Sequence, residues 1–76
     1  LKFTFNEQRE YEMIDDVIAA LEERLKSIEN SIIIEASNYI NLEKLMAEKE
    51  KLEQELAEQT DRWIYLNDLA DQILKL

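Results

Sequence analysis

The chain contains no glycine, no proline, no cysteine and no histidine, and each absence closes off a class of structure or chemistry. Without Gly or Pro, nothing in the sequence punctuates a helix interior. A Gly-rich phosphate-cradling loop is also excluded, so the chain by itself is not a nucleotide-binding enzyme. Without Cys there is no disulfide staple and no thiolate metal site. Without His, the usual imidazole acid–base and metal chemistry is missing. No apolar run comes near the ~20 residues that span a bilayer, and no signal-peptide pattern is present. Positive charge is also scarce: 9 Lys and Arg stand against 18 Asp and Glu, for a net charge of −9. Such a surface repels phosphate backbones and anionic lipid at long range, so any nucleic-acid contact has to rest on a local basic patch. The carboxylates themselves read as a solvated charged face with i,i+4 pairs such as Glu22–Lys26 and Glu58–Arg62. Catalysis needs a cleft that shifts pKa values, and calcium needs a loop that wraps several oxygens around the ion; neither pattern is present. No catalytic residue, metal ligand or cofactor is expected in this domain.

What the chain does have is a pair of heptad ladders. The first runs Tyr11, Ile14, Ile18, Leu21, Leu25, Ile28, Ile32; the second runs Leu42, Leu45, Lys49, Leu52, Leu56, Gln59, Trp63, Leu66, Ala70, Ile73. Steps of three and four alternate without a break, which forms the seam of a coiled coil. If residue i meets residue 77 − i, Tyr11 faces Leu66, Ile14 faces Trp63, Leu21 faces Leu56, Leu25 faces Leu52 and Ile32 faces Leu45. Each pair sets an a position against a d position, as antiparallel helices require. The expected fold is therefore all-α, two long helices forming an antiparallel coiled-coil hairpin. Residues 1–76 would be one coiled-coil domain, with helix 1 over about 5–34, a turn at about 35–39 and helix 2 over about 39–74. Thr4 with Glu7 has the form of a capping box, with Asn6 as the competing cap. Ser37, Asn38 and Asn41 offer caps for the second helix. A seam this narrow gives modest stability. A monomeric hairpin is the default state, and a dimer is the alternative. Because the chain begins at Leu1 rather than Met, it is expected to be a piece of a longer protein.

Several residues stand apart from the ladder logic. Lys49 and Gln59 are polar seam positions facing Ile28 and Ile18; a Lys stem can cover apolar surface while its ammonium reaches water. Arg24, Lys26, Lys49 and Lys51 fall at one axial level, with Lys44 one to two turns away, among Glu22, Glu23, Glu48, Glu50 and Glu53. Lys2, Arg9 and Arg62 gather near an aromatic base of Phe3, Phe5, Tyr11, Trp63 and Tyr65, with Phe3 and Phe5 expected beside Leu69 and Ile73. At the other end Ile33, Ile34, Tyr39 and Ile40 exceed what a two-stranded seam needs. Two readings are open for them: an internal cap on the coiled coil, or an apolar docking patch.

Two elements carry a family resemblance. The opening Thr4, Phe5, Asn6, Glu7, Gln8, Arg9, Glu10, Tyr11, Glu12 has the form of an (S/T)-aromatic-x-EQRE(Y/F)E element. The closing Glu58, Gln59, Thr60, Asp61, Arg62, Trp63, Ile64, Tyr65, Leu66, with Leu69 following, has an E-x-x-x-RW-x-x-L-x-x-L pattern. Together, flanking one hairpin over nearly the whole chain, they resemble the C-terminal domain of ABC-F type ATPases, particularly the Uup-like branch. The resemblance implies a parent with two upstream ATP-binding cassettes that bind ATP and Mg, no membrane-spanning segment and a cytoplasmic location. It also implies action on ribosomes during translation, with this domain associated with DNA binding and support of the parent's activity. Family members often carry a Lys-rich linker just before the domain, of which Lys2 alone is present here.

Two functions follow as expectations. The first is an accessory domain contacting DNA or ribosomal RNA non-specifically, with Arg9, Arg24, Lys26, Lys49, Lys51 and Arg62 touching phosphates. The second is a protein-interaction or spacer coiled coil without nucleic-acid contact, docking through the apolar tip (Ile33, Ile34, Tyr39 and Ile40) or the aromatic base, against the parent's ATP-binding domains, another partner or a second copy.

Overall fold

The structure is a computed structural model that describes residues 2–75. It contains two helices, α1 over Phe5–Ile34 and α2 over Tyr39–Leu74, folded back on each other into a rod of 57 × 17 × 14 Å. The long axis is close to the ~54 Å expected of a 36-residue helix, so α2 sets the length of the molecule. No helix is long and apolar enough to cross a membrane.

Local chemistry explains where each helix begins and ends. Thr4 caps α1 through a capping box: its hydroxyl accepts from the Glu7 N–H at 3.2 Å, and the Glu7 carboxylate accepts from the Thr4 N–H at 3.0 Å. Of the candidate caps in the turn, Asn38 is the one used, its side-chain oxygen accepting from the Asn41 N–H at 3.2 Å. The connection is closed by the Glu35 N–H on Ser31 and the Asn38 N–H on Glu35, each at 2.8 Å. No described residue has a positive φ, which is why a chain without glycine can make this turn.

The ladders form the contact between the helices. Ile14, Leu21, Leu52, Leu66 and Ala70 are buried, Leu66 completely. The remaining seam residues are half-buried, and Trp63 is 39% exposed. The seam continues below Tyr11 in the same register, with Glu7 opposite Ala70 and Thr4 opposite Ile73. Ala70, the smallest residue of the ladder, lies opposite a carboxylate that leaves the seam for polar partners.

Two expectations are corrected. Phe3 is half-buried and stacks on Tyr11 with ring centroids 5.0 Å apart, but Phe5 is 76% exposed. Phe5 follows the seam residue Thr4, and one helical step of ~100° turns it out of the seam; Arg9 lies over its ring instead, at 5.9 Å. Among the described residues, neither i,i+4 ion pair, Glu22–Lys26 or Glu58–Arg62, closes. Arg62 crosses to Glu10 instead, and Lys49 crosses to Glu29.

Candidate functional site

The heptad letters sort the surface into two long faces. With Tyr11 and Leu42 at a positions, one face is built from g and c residues of both helices and the other from e and b residues. The side-chain geometry follows this division. Arg24, Ser27, Ile28, Glu48, Lys51, Leu52 and Glu55 line one depression; every one of them is a c, d or g residue. Glu43, Met46, Ala47, Lys49, Glu50 and Glu53 line a groove on the other side; these are a, b, e and f residues. The cross-helix bonds obey the same rule. Arg62 pairs with Glu10 from g to g, whereas Trp63 and Lys49 reach Asp15 and Glu29 at e.

This sorting breaks up the basic band. Arg24 and Lys51 come together in the depression on the g face, with Glu48 and Glu55 beside them. Lys44, a c residue two turns of helix from Lys51 (about 10 Å), lines the next depression along the same face, toward the tip. Lys26 (b) and Lys49 (a) belong to the opposite face. The Lys49 ammonium is 3.9 Å from Glu29 and its side chain is 31% exposed, which is the stem-buried, head-out arrangement its seam position suggested. Arg62 lies on the g face toward the base, its Nε donating to Glu10 at 2.8 Å. Arg9 is at an outward f position against Phe5. The six candidate contacts thus fall on different faces of the rod, and Arg24 and Lys51 line one depression together.

The faces differ in net charge. On the g face Arg24, Lys44, Lys51 and Arg62 alternate with Glu10, Glu48, Glu55 and Glu58. On the e face Glu12, Asp15, Glu22, Glu29, Glu43, Glu50, Glu53 and Asp71 meet only Lys26 and, from the seam, Lys49. Nearly all of the acidic excess lies on one side of the rod or at its outward positions.

At the base, a polar network ties the helices. The Tyr65 hydroxyl donates to Glu7 at 2.7 Å, and the Arg62 guanidinium sits 4.6 Å over the Tyr65 ring. The Thr4 N–H, then the Tyr65 hydroxyl, hold the Glu7 carboxyl below its ordinary pKa. The Glu7 bond pushes the Tyr65 phenol up, and the bond to Glu10 raises Arg62. At the tip, Ile33, Ile34, Tyr39 and Ile40 are all between 68% and 79% exposed; they do not cap the coiled coil internally. Met46, also more than half exposed, adds to this apolar surface and did not stand out in the sequence, although its e position puts it on the rim of the seam.

Residues 2–68 match the profile of a family described as ABC transporter C-terminal domain. Over 72 residues the chain is 33% identical to a Bacillus subtilis (strain 168) protein named "Uncharacterized ABC transporter ATP-binding protein YfmR". The aligned segment covers 95% of this chain and 11% of that protein, so the chain spans about a tenth of the length of the curated relative it matches. No solved structure matches the chain.

Proposed function

Since the chain belongs to the family of ABC transporter C-terminal domains, we propose that it serves as the accessory hairpin of an ABC-F type ATPase and contacts DNA or ribosomal RNA non-specifically through its g face. The observation that carries this reading is the convergence of Arg24 and Lys51 in one depression, extended by Lys44 on the side where carboxylates do not dominate. The contact is electrostatic, because the cations of this face are points along a rod, and phosphate contacts position a protein without reading sequence. The opposite face repels phosphate and thereby orients the hairpin on a duplex. In this reading ATP and Mg are handled by the remainder of a cytoplasmic parent, and the hairpin acts as a monomer whose seam is satisfied within one chain.

The test is fluorescence anisotropy of labelled duplex DNA and of structured RNA, titrated with the chain across a salt series. Arg24→Glu combined with Lys51→Glu abolishes binding, while Lys26→Glu combined with Lys49→Glu leaves it nearly unchanged. On B-form DNA the affinity falls with a log–log salt slope of about −0.9 per phosphate neutralised, so contact by this pair gives a slope near −2. No binding at low salt, or equal loss from both double substitutions, would sink the reading.

A further inference from the structure

The exposed apolar tip is not accounted for by the fold or by the nucleic-acid reading. The seam at this level is already supplied by Ile32, Leu42 and Leu45, all half-buried. Ile33, Tyr39, Ile40 and Met46 add large apolar surface that the hairpin leaves in water, where covering it would be favourable. Their heptad positions are b, e, f and e, so they open toward the acidic side. There Met46 and Ala47 line a shallow depression together with Glu43, Glu50, Glu53 and Lys49. The single cation in the depression stands beside Glu29, at 3.9 Å.

The carboxylates decide what can cover this surface. Phosphate backbones and anionic bilayers are repelled by them. A second copy docked by two-fold symmetry would set the same carboxylates against themselves. A helix with one apolar stripe flanked by Lys and Arg meets both requirements, laying its stripe on Tyr39, Ile40 and Met46 and its cations on Glu43, Glu50 and Glu53. We propose that the tip and the adjoining acidic groove form a docking surface for a cationic amphipathic helix of a protein partner. This goes beyond the nucleic-acid reading and uses the opposite face, so either can fail without the other.

The test uses a synthetic amphipathic Leu–Lys helical peptide, a scrambled peptide of the same composition, and isothermal titration of the chain with each. The ordered peptide binds, with NMR shift changes at Ile33, Tyr39, Ile40 and Met46. Ile40→Asp weakens it on the order of tenfold or more, as does Glu43→Lys with Glu50→Lys, while Arg24→Glu with Lys51→Glu has no effect. These tip residues are exposed, so helical circular dichroism should be unchanged; Ile33→Ser provides a second, milder variant. The proposal is overturned if the scrambled peptide binds as tightly, since charge alone then suffices, or if Ile40→Asp changes nothing. Self-association relieved by Ile40→Asp in sedimentation velocity would overturn it in favour of a second copy. Binding of phosphatidylserine vesicles through the tip would overturn it in favour of a membrane.

Discussion

At the base of the hairpin Arg62, Trp63 and Tyr65 of α2 each reach a carboxylate of α1, at 2.8, 2.8 and 2.7 Å, over a seam in which Ile14, Leu21, Leu66 and Ala70 are buried. At the tip, Leu52 is the nearest buried residue. The polar links there are a 3.9 Å ion pair and a 3.4 Å contact between Asn41 and Glu35. The same heptad thus builds one end tied across by three side-chain bonds and another with weaker ties. A two-stranded seam cannot exclude water by itself; it closes where large amphipathic side chains reach over its edges, and aromatic residues with polar ends do that best. At the tip Ile33, Ile34 and Ile40 have no polar end with which to reach across, and Tyr39 is itself 79% exposed, so this apolar surface stays in solvent.

The comparison breaks most readily at Leu66. Leu66→Ala removes a completely buried side chain and should lower stability by about 2–4 kcal/mol, enough to unfold a hairpin of modest stability near room temperature. Leu45→Ala, at a half-buried seam position near the tip, should cost roughly half as much or less, because its site is already partly wet. Urea denaturation followed by circular dichroism compares them; equal losses would mean that the two ends are equally packed.

The caps give a second contrast. Asn38→Ala removes the one side-chain bond that starts α2 and should cost about 1 kcal/mol. Thr4→Ala costs a similar amount by the loss of its hydroxyl, but the Glu7 bond to the backbone of residue 4 survives. Hydrogen exchange separates the two variants: Asn38→Ala should speed exchange in the first turns of α2 alone, while Thr4→Ala should spread to Tyr65 and Arg62 through Glu7.

The base network also carries a pH dependence. Glu7 has a folded pKa below its unfolded one. Its contribution is present above the ordinary carboxylate range and is lost as pH falls through about 4 toward the folded value. Tyr65 is shifted the other way, so its contribution is complete below about pH 10 and is lost as pH rises above that. Glu7→Ala should therefore lower the melting temperature at neutral pH by less than Leu66→Ala does, and the difference from the parent chain should vanish in acid. A difference that persists at low pH would show that Glu7 acts through packing and not through its charge.

Most of the architecture was legible because a heptad is a statement about geometry. Ladder spacing gave the seam, the 77 − i register set Lys49 against Ile28 and Trp63 against Ile14, each one residue from the carboxylate it reaches, and Thr4 with Glu7 announced the first cap. The division of the basic band was equally present in the sequence. Arg24 and Lys51 are g and c residues, while Lys26 and Lys49 are b and a; axial level alone had grouped them, and azimuth separates them. What periodicity could not supply was the choice made by long side chains with several partners in reach. Arg62 has Glu58 one turn away on its own helix, yet the geometry that also stacks it on Tyr65 favours Glu10. The state of the tip was likewise open, because four apolar residues around a turn satisfy an internal cap and a docking patch equally well until the backbone direction is known.

Lys49 tests whether the weaker ties toward the tip are set by composition. It interrupts the second ladder at an a position, is half-buried, and gains a long ion pair with Glu29 in return. An exposed pair of this length contributes little after solvent screening. Lys49→Leu would restore an apolar residue opposite Ile28 and remove the cation from the acidic groove. The expected effect is small and stabilising, about 0.5–1 kcal/mol, as added apolar burial outweighs the lost pair. If it slows hydrogen exchange around Leu45 and Leu52 without changing exchange around Leu66, the contrast between the ends lies in the ladder itself. If it destabilises the chain, the Glu29 pair is worth more than its distance suggests, and the tip is held together by charge as the base is.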